Sequence, residues 1–320
     1  MKKYCIIARN LESKVGGIGV YGRNLIKKLK SKGFNVYICP QEKGTFPVSY
    51  IKWLLFDTPL FLLKTDADVY HAIGIIEGIL LPILKPKEKK YVTIHDLIPL
   101  KYEGKGFRKM FERFLVKLGL LSARFYDKIF AVSHLTKIDI VRFGNIDESK
   151  IKVVYQPIDE KFLKTPVNKR KHSTFNIGYI SRMEEYKRHE LLITKFMEYK
   201  NPNARLYLAG TGPLFDRIKK LSEKDKRVIL LGFVPDEKIV EFYDMLDIYV
   251  HPSKYEGWGL PIAEALARGK PVIVFEDAEI PGEVMNLCVS LSWGSFFKTV
   301  EAWFWNRKLL RKLSKWGCFK

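Results

Sequence analysis

The sequence predicts an α/β protein of two doubly wound domains, and three observations carry that expectation. At 320 residues the chain is long for one core and comfortable for two. Short apolar runs of strand length alternate along it with helical runs opened or closed by glycine. Midway, the stretch 161–173 holds five lysines and arginines and no acid, a linker composition. The expected domains are 1–165 and 166–299, followed by a segment at about 300–320.

Taken in order, Tyr4–Ala8 reads as the first strand. A polar loop, Arg9–Val15, precedes Gly16-Gly-Ile-Gly-Val-Tyr-Gly22, which opens a helix to about Lys32. Gly33 closes it, and Phe34–Cys39 is the second strand. Gly17 to Gly22 matches G-x-G-x-x-G, the spacing of a dinucleotide loop. That fingerprint should follow its strand directly and end the next strand in an acid; here an insert intervenes and Cys39-Pro40 follows. Asp68–His71 and Tyr91–His95 are further strands, each ending in histidine, where open α/β sheets collect ligands. His71 reads as structural. Phe107–Leu118 is a helix with Phe107, Phe111, Phe114, Leu115 and Leu118 on one side and a basic remainder. Such a helix either packs on the core or lies on an anionic membrane. Lys128–Ser133 is a strand, and Lys152–Asp159 is the last strand before the linker.

The second half opens with strand Phe175–Ile180, the basic turn Ser181–Lys187 and a helix to about Tyr199. Ala204–Pro213 reads as strand, glycine turn and helix start. Val228–Pro235 is a strand, Ile239–Leu246 a helix and Asp247–His251 a strand. Next comes the most informative stretch. Glu256-Gly-Trp-Gly259 is a glycine-rich loop, Pro261 suits the first helical position, and Gly269 caps the helix before strand Pro271–Phe275. Strand, glycine loop and helix start together make an anion site: the helix amides and dipole face the loop, and Gly257 and Gly259 allow close approach. Glu256 and Glu264 could each accept from a hydroxyl there, or could be a solvated loop acid and a dipole partner.

Composition narrows the classes. A formal charge of +21 favours polyanionic partners: nucleotide phosphates, anionic lipid or nucleic acid. Abundant lysine also fits a high-temperature proteome. The aromatic and basic residues form no nucleic-acid module, so nucleic acid is not expected. Four scattered cysteines without C-x-x-C spacing argue against a zinc or disulfide framework and for a reducing compartment. No leader is read after Met1, and the apolar runs Ile51–Leu63 and Ile73–Leu84 are too short or too charged to span a bilayer.

The pair Glu256/Glu264 at E-x7-E, preceded by Pro252-Ser253, resembles the signature of glycosyltransferase family 4. So do the glycine loop at Gly16, His95-Asp96, Arg182 with Lys187, and Gly210-x-Gly212-Pro213, all in the family's order. Gln156-Pro157 stands where the family usually has Asn-Gly. The resemblance implies a GT-B fold, two Rossmann-like domains facing a cleft. It implies a retaining transferase that moves a sugar from a UDP- or GDP-linked donor to a glycan or lipid-linked acceptor. Implied catalytic residues are His95 and Glu256 at the donor sugar, and Arg182 and Lys187 at the diphosphate. Implied donor-binding residues are Gly16, Gly17, Val234, Gly257, Trp258, Gly259, Leu260 and Glu264, the last at the ribose. No tightly bound cofactor and no divalent metal are expected, because cationic side chains neutralise the diphosphate. The expected location is cytoplasmic or peripheral on the cytoplasmic membrane face. A nucleic-acid-binding protein and a NAD-dependent enzyme are the alternatives. At about 300–320 a basic, aromatic tail either braces the first domain or touches membrane.

Overall fold

A computed structural model of the chain describes residues 2–11, 17–42, 48–102, 104, 106–166 and 173–306. Gly16, the linker residues 167–172 and the tail from 307 onward lie outside the described residues. The chain divides between Gln156 and Pro157 into two units.

The first unit is built on six parallel strands: β1 (Lys3–Ile7), β2 (Asn35–Ile38), β3 (Val69–Ala72), β4 (Lys89–Ile94), β5 (Lys128–Ala131) and β6 (Ile151–Val153). Their order is β2-β1-β3-β4-β5-β6, with Cys5 opposite Tyr37 and Ile6 opposite His71. Parallel strands need crossover helices on both faces, so both faces are buried and the strands read as apolar runs rather than alternations. Cys5, Ile7, Val92, Ile94, Ile129 and Ala131 lie in one core cluster, and Tyr4, Ile6 and Ala8 in the cluster on the other face.

Three helices of this unit matter below: α1 (Gly17–Ser31), α2 (Phe107–Ala123) and α3 (His134–Gly144). A Cβ at Gly22 would collide with Leu11 and stand 2.7 Å from Ile73 Cδ1, so the last glycine of G-x-G-x-x-G serves close packing of α1. Helix α3 starts where sequence rules place it, because the Ser133 hydroxyl accepts from the Thr136 amide at 3.0 Å. It ends at Asn145 in the left-handed region, φ 46°. Helix α2 buries Leu115, Val116 and Leu120, whereas Phe107, Met110, Phe114 and Leu121 are exposed. The apolar side read from the sequence is therefore split: Leu115 faces the core and Phe107 and Phe114 face out.

The second unit repeats the plan with β7 (Phe175–Ile180), β8 (Ala204–Ala209), β9 (Val228–Gly232), β10 (Ile248–His251), β11 (Val272–Phe275) and β12 (Val289–Leu291), all parallel. Their order is β12-β11-β10-β7-β8-β9. The winding reverses between β7 and β10, and in such sheets ligands bind at the carboxyl ends of the strands flanking that reversal. Its helices include α4 (His189–Glu198), α5 (Phe215–Ser222), α6 (Ile239–Asp244), α7 (Leu260–Ala267) and α8 (Phe296–Trp305).

Two joints hold this unit's ends. Arg268, at the end of α7, is fully buried. It binds both carboxylate oxygens of Asp244 at 2.8–2.9 Å and the carbonyls of Phe162, Thr165 and Pro166. That clamp fixes the incoming chain, so the described part of the linker, through Pro166, belongs with the second unit. Helix α8 buries Phe296, Val300 and Trp303 in this unit's own core, and Phe304 meets Phe175 edge to face at 5.7 Å. The described start of the expected tail, through Asn306, thus packs in this unit's core, and the rest of that segment lies outside the described residues. Among the described residues no helix is long and apolar enough to cross a membrane.

Candidate functional site

In the second unit the carboxyl ends of β7 and β10 bring together residues far apart in sequence. After β7, the chain runs through Arg182 to Lys187. Gly210, at φ 117°, makes this route possible: a Cβ there would collide with the Ser181 carbonyl. After β10 it runs through Pro252-Ser253 to Glu256. Lys187 Nζ lies 2.5 Å from Glu256 Oε1, and His251 Nε2 lies 2.7 Å from the same oxygen. His251 closes β10 and is fully buried; Lys187 and Glu256 show only a narrow edge.

The electrostatics follow. Burial pushes the Glu256 carboxyl up, but Lys187 and His251 outweigh it and hold the pKa down at about 2. Glu256 is therefore an anion at neutral pH, with Oε1 committed to this cluster and acceptor capacity on Oε2. Burial lowers the pKa of His251, against the pull of Glu256. Arg182 is half exposed and pairs with Glu184 at 3.1 Å, so it is not part of the buried cluster.

Glu264 sits on α7 in a different setting. It is buried and accepts from the Tyr243 hydroxyl at 2.7 Å. Burial raises its pKa to about 7, the Tyr243 bond opposing. The loop between the two glutamates ends at Gly259, φ 83°, and Leu260 opens α7 with Pro261 in the first turn. Only glycine adopts that left-handed turn readily. The Gly259 carbonyl accepts from the Ile262 amide at 2.9 Å, and the positive dipole end of α7 lies at the loop. Trp258 and Val234 are partly buried against the core.

The raised Glu264 pKa has a testable sign. Its folded value of about 7 exceeds the ordinary glutamate value of 4.5, so between those values the folded state holds more proton than the unfolded. Stability therefore falls as pH rises from about 4.5 to about 7, then levels. Glu264→Gln is expected to abolish that slope and to stabilise the protein at pH 8 by roughly 1–3 kcal/mol in urea unfolding. An unchanged slope would contradict the assignment.

In the first unit, His95 follows β4 and is buried beneath the edge of the Tyr21 ring, 5.0 Å between centroids. Its Nε2 lies 2.9 Å from the Ile73 carbonyl and its Nδ1 lies 3.0 Å from Gln156 Nε2. Burial lowers its pKa to about 4, the Ile73 carbonyl opposing, so the ring is neutral at pH 7. Gly17 opens α1 beside the Gln156 carboxamide. His71 is buried between Tyr4 Oη and Thr93 Oγ1, both at 2.8 Å, as its structural reading requires.

The chain contains one Asp-x-Asp, Asp66-Ala67-Asp68. Asp66 pairs with Lys3 Nζ at 2.6 Å and Asp68 accepts from the Lys3 amide at 2.7 Å, at the amino ends of β1 and β3. That is the opposite end of the strands from His95. Among the described residues no cluster of histidine, cysteine or carboxylate side chains is built to hold a metal ion.

Three contributors were missed by sequence reasoning: His251, Tyr243 and Gln156. His251 carried the signal already noted for His71 and His95, a histidine ending a strand. Tyr243 carried none, since its partner lies 21 residues away on another helix.

Fold and site define a class of protein: two parallel α/β units, the second presenting cations, carboxylates and a glycine-led helix start at its topological switch point. Family models match in tandem, Glycosyltransferase Family 4 over residues 15–162 and Glycosyl transferases group 1 over residues 161–314. The chain belongs to this glycosyltransferase family, and its fold is of the GT-B class. Among curated relatives, the O-antigen chain mannosyltransferase RfbU of Salmonella typhimurium is 26% identical over 231 residues, 69% of this chain and 62% of that protein. The uncharacterized glycosyltransferase MJ1607 of Methanocaldococcus jannaschii is 28% identical over 162 residues, 46% of this chain and 42% of that protein. The chain thus spans less than two thirds of their lengths. Among solved structures, sucrose-phosphate synthase from Thermosynechococcus elongatus matches with TM-score 0.80 at 17% identity, covering 99% of this chain and 93% of that one. Anabaena Alr3699/HepE, in complex with UDP and glucose, matches with TM-score 0.74, also at 17% identity and with the same coverage. At such identities the likeness concerns the fold.

Proposed function

We propose that this protein transfers a sugar from a UDP- or GDP-linked donor to a glycan or lipid-linked acceptor, with retention of anomeric configuration. The observation that carries the reading is the Lys187–Glu256–His251 cluster at the switch point, beside the start of α7. The ammonium of Lys187 has three donors; one holds Glu256 and the others serve the diphosphate. When the bond from sugar to phosphate breaks, negative charge gathers on the departing nucleotide, and fixed cations stabilise it. Arg182, half exposed, adds a second cation, and the amides from Gly257 to Leu260 complete the anion site. Glu256, an anion held rigidly through Oε1, accepts from a sugar hydroxyl through Oε2. Glu264 accepts from the ribose. Val234 and Trp258 flank the nucleotide, and no divalent metal takes part.

No carboxylate is assigned as a covalent nucleophile. The leaving phosphate itself then assists the incoming hydroxyl on the face it has left, which yields retention. A trapped glycosyl-enzyme adduct would sink that step. Relatives named as a mannosyltransferase and as alpha-monoglucosyldiacylglycerol synthase support glycan and lipid acceptors. The exposed Phe107, Met110, Phe114 and Leu121 of α2, beside exposed Arg108 and Lys117, support contact with an anionic membrane surface.

The test is turnover of a panel of UDP- and GDP-sugars with glycan and lipid-linked acceptors, following nucleotide release and the anomeric proton of the product. One donor class should turn over and give the donor's anomeric configuration. An inverted product would refute retention, and turnover confined to NADH chemistry would refute the transferase reading.

A further inference from the structure

One helical layer of the first unit turns an apolar side to solvent. The helical run 48–64 sends Tyr50, Trp53, Leu54 and Leu62 into the core cluster that also receives Leu115, Val116 and Leu120 of α2, so both helices cover one face of the sheet. Between them lies the segment 75–84. Its residues 81–84 pack on 58–64, the Ser122 hydroxyl of α2 donates to the Ile79 carbonyl at 2.8 Å, and the Tyr126 hydroxyl donates to the Gly78 carbonyl at 2.7 Å. On the outer side of this layer Val48, Leu55, Phe56, Leu60, Leu63 and Ile83 are each half or more exposed, together with Phe107, Met110 and Phe114 of α2. The run 48–64 carries only Lys52, Lys64 and Asp57 as charges, and Lys52 holds Asp57 at 2.8 Å. Its middle, Trp53–Asp57, is a π-turn in which the Thr58 amide reaches back to the Trp53 carbonyl.

The cations lie in the same layer. Helix α2 carries Arg108, Lys109, Arg113 and Lys117 against Glu112, which Arg108 holds at 3.1 Å. Between α2 and α3 a groove of about 480 Å³ is lined by Arg113, Lys117 and Arg124 and by Leu120, Leu121 and Phe143, and no described residue lining it is acidic. Arg124 is set there by Nε and Nη2, which donate to the Gly144 carbonyl at 3.1 and 2.9 Å.

We infer that this layer seats the first unit on an anionic bilayer: the ridge of 48–64 and Ile83 enters the acyl boundary, and the groove between α2 and α3 takes a lipid phosphate. The charge pattern selects that occupant. A nearly neutral apolar ridge gains by leaving water, and an acid-free cationic groove attracts phosphate; an anionic bilayer surface offers both. A second copy of the chain fits poorly, since a two-fold contact through one face sets the same cations against each other. A nucleic acid would meet the cations and leave the ridge in water. The inference extends the membrane contact of the transferase reading from one helix to a whole face. It rests on that reading only for what the bilayer carries, the acceptor; docking itself needs neither donor nor acceptor.

The experiment is co-sedimentation of the intact chain with vesicles of phosphatidylcholine, alone or mixed with phosphatidylglycerol, without nucleotide sugar and at low and high salt. The wild type should bind the mixed vesicles far more than the neutral ones, and high salt should weaken that binding. The double variant Leu55→Asp with Phe56→Asp should weaken it by about tenfold or more, the effect of withdrawing two apolar side chains from burial. Lys117→Glu, which reverses one charge of the groove, should weaken it about tenfold. Leu163→Asp, a like change at an exposed position of the second unit, should stay within about twofold of the wild type. All these positions are exposed, so thermal unfolding should leave every variant at the wild-type midpoint. Equal binding to both kinds of vesicle would overturn the inference, as would a Leu55, Phe56 variant that binds like the wild type or a Leu163→Asp protein that loses as much. So would a dimer in sedimentation velocity that the Leu55, Phe56 variant dissolves, which would give the ridge to a second copy. Calorimetry with UDP-glucose and GDP-mannose on the same samples separates the two readings. Donor binding without vesicle binding refutes the docking alone, and vesicle binding without donor binding refutes the transferase reading alone.

Discussion

Lys187→Met should lower nucleotide-sugar turnover at least a hundredfold, the scale on which removing one fixed stabiliser of developing charge acts. It should also change how stability responds to acid. In the wild type, Glu256 has a folded pKa of about 2 against an ordinary value of 4.5. A depressed acid contributes stability that is present above the unfolded value and lost as pH falls through the folded one. The window is therefore about pH 4.5 down to about pH 2. The shift corresponds to roughly 3 kcal/mol, an order-of-magnitude figure for a buried carboxylate. Without Lys187, burial is opposed by His251 alone, so the Glu256 pKa rises and most of that acid dependence disappears. Urea unfolding at pH 7, 4 and 3 checks it. A Lys187→Met protein with wild-type turnover and an unchanged slope would show that the cluster is incidental.

The second large effect is expected at Arg268, which touches no ligand in this account. It is buried, bonded to both oxygens of Asp244 and to three carbonyls of the segment entering the second unit. Arg268→Met would leave Asp244 buried without its fork and orphan those carbonyls. Breaking a buried pair on one side costs about 3–5 kcal/mol. Equilibrium unfolding should show a loss in that range, and the folded fraction should keep its bare-nucleotide affinity. A loss below about 1 kcal/mol would mean the clamp is replaceable by water.

The α/β layout was legible because parallel strands buried on both faces write themselves as short apolar runs. Glu256 and Glu264 stood out because loop and helix chemistry around them is local: Gly259 must be left-handed and Pro261 belongs in a first turn. What was not legible depends on strand order. His251 meets Lys187 only because β10 lies beside β7, and nothing within either segment states that adjacency. Gln156 reaches His95 across 61 residues for the same reason, so a departure from the familiar Asn-Gly carried no visible consequence in one dimension. Helix α2 was foreseen as a helix, but its buried stripe was rotated from the expected one. Periodicity fixes how often a face recurs; the neighbouring sheet decides which face is covered. Strand β12, with only Val289–Leu291 at the sheet edge, offered too little pattern to find.

The most direct measurement is titration calorimetry of UDP-glucose and GDP-mannose against the wild type, Lys187→Met and Glu256→Gln, all in EDTA. Binding of one donor to the wild type without metal, at least tenfold weaker in both variants, is the expected result. A donor that binds only when a divalent metal is restored, or that binds both variants as tightly as the wild type, would contradict a site built on Lys187 and Glu256.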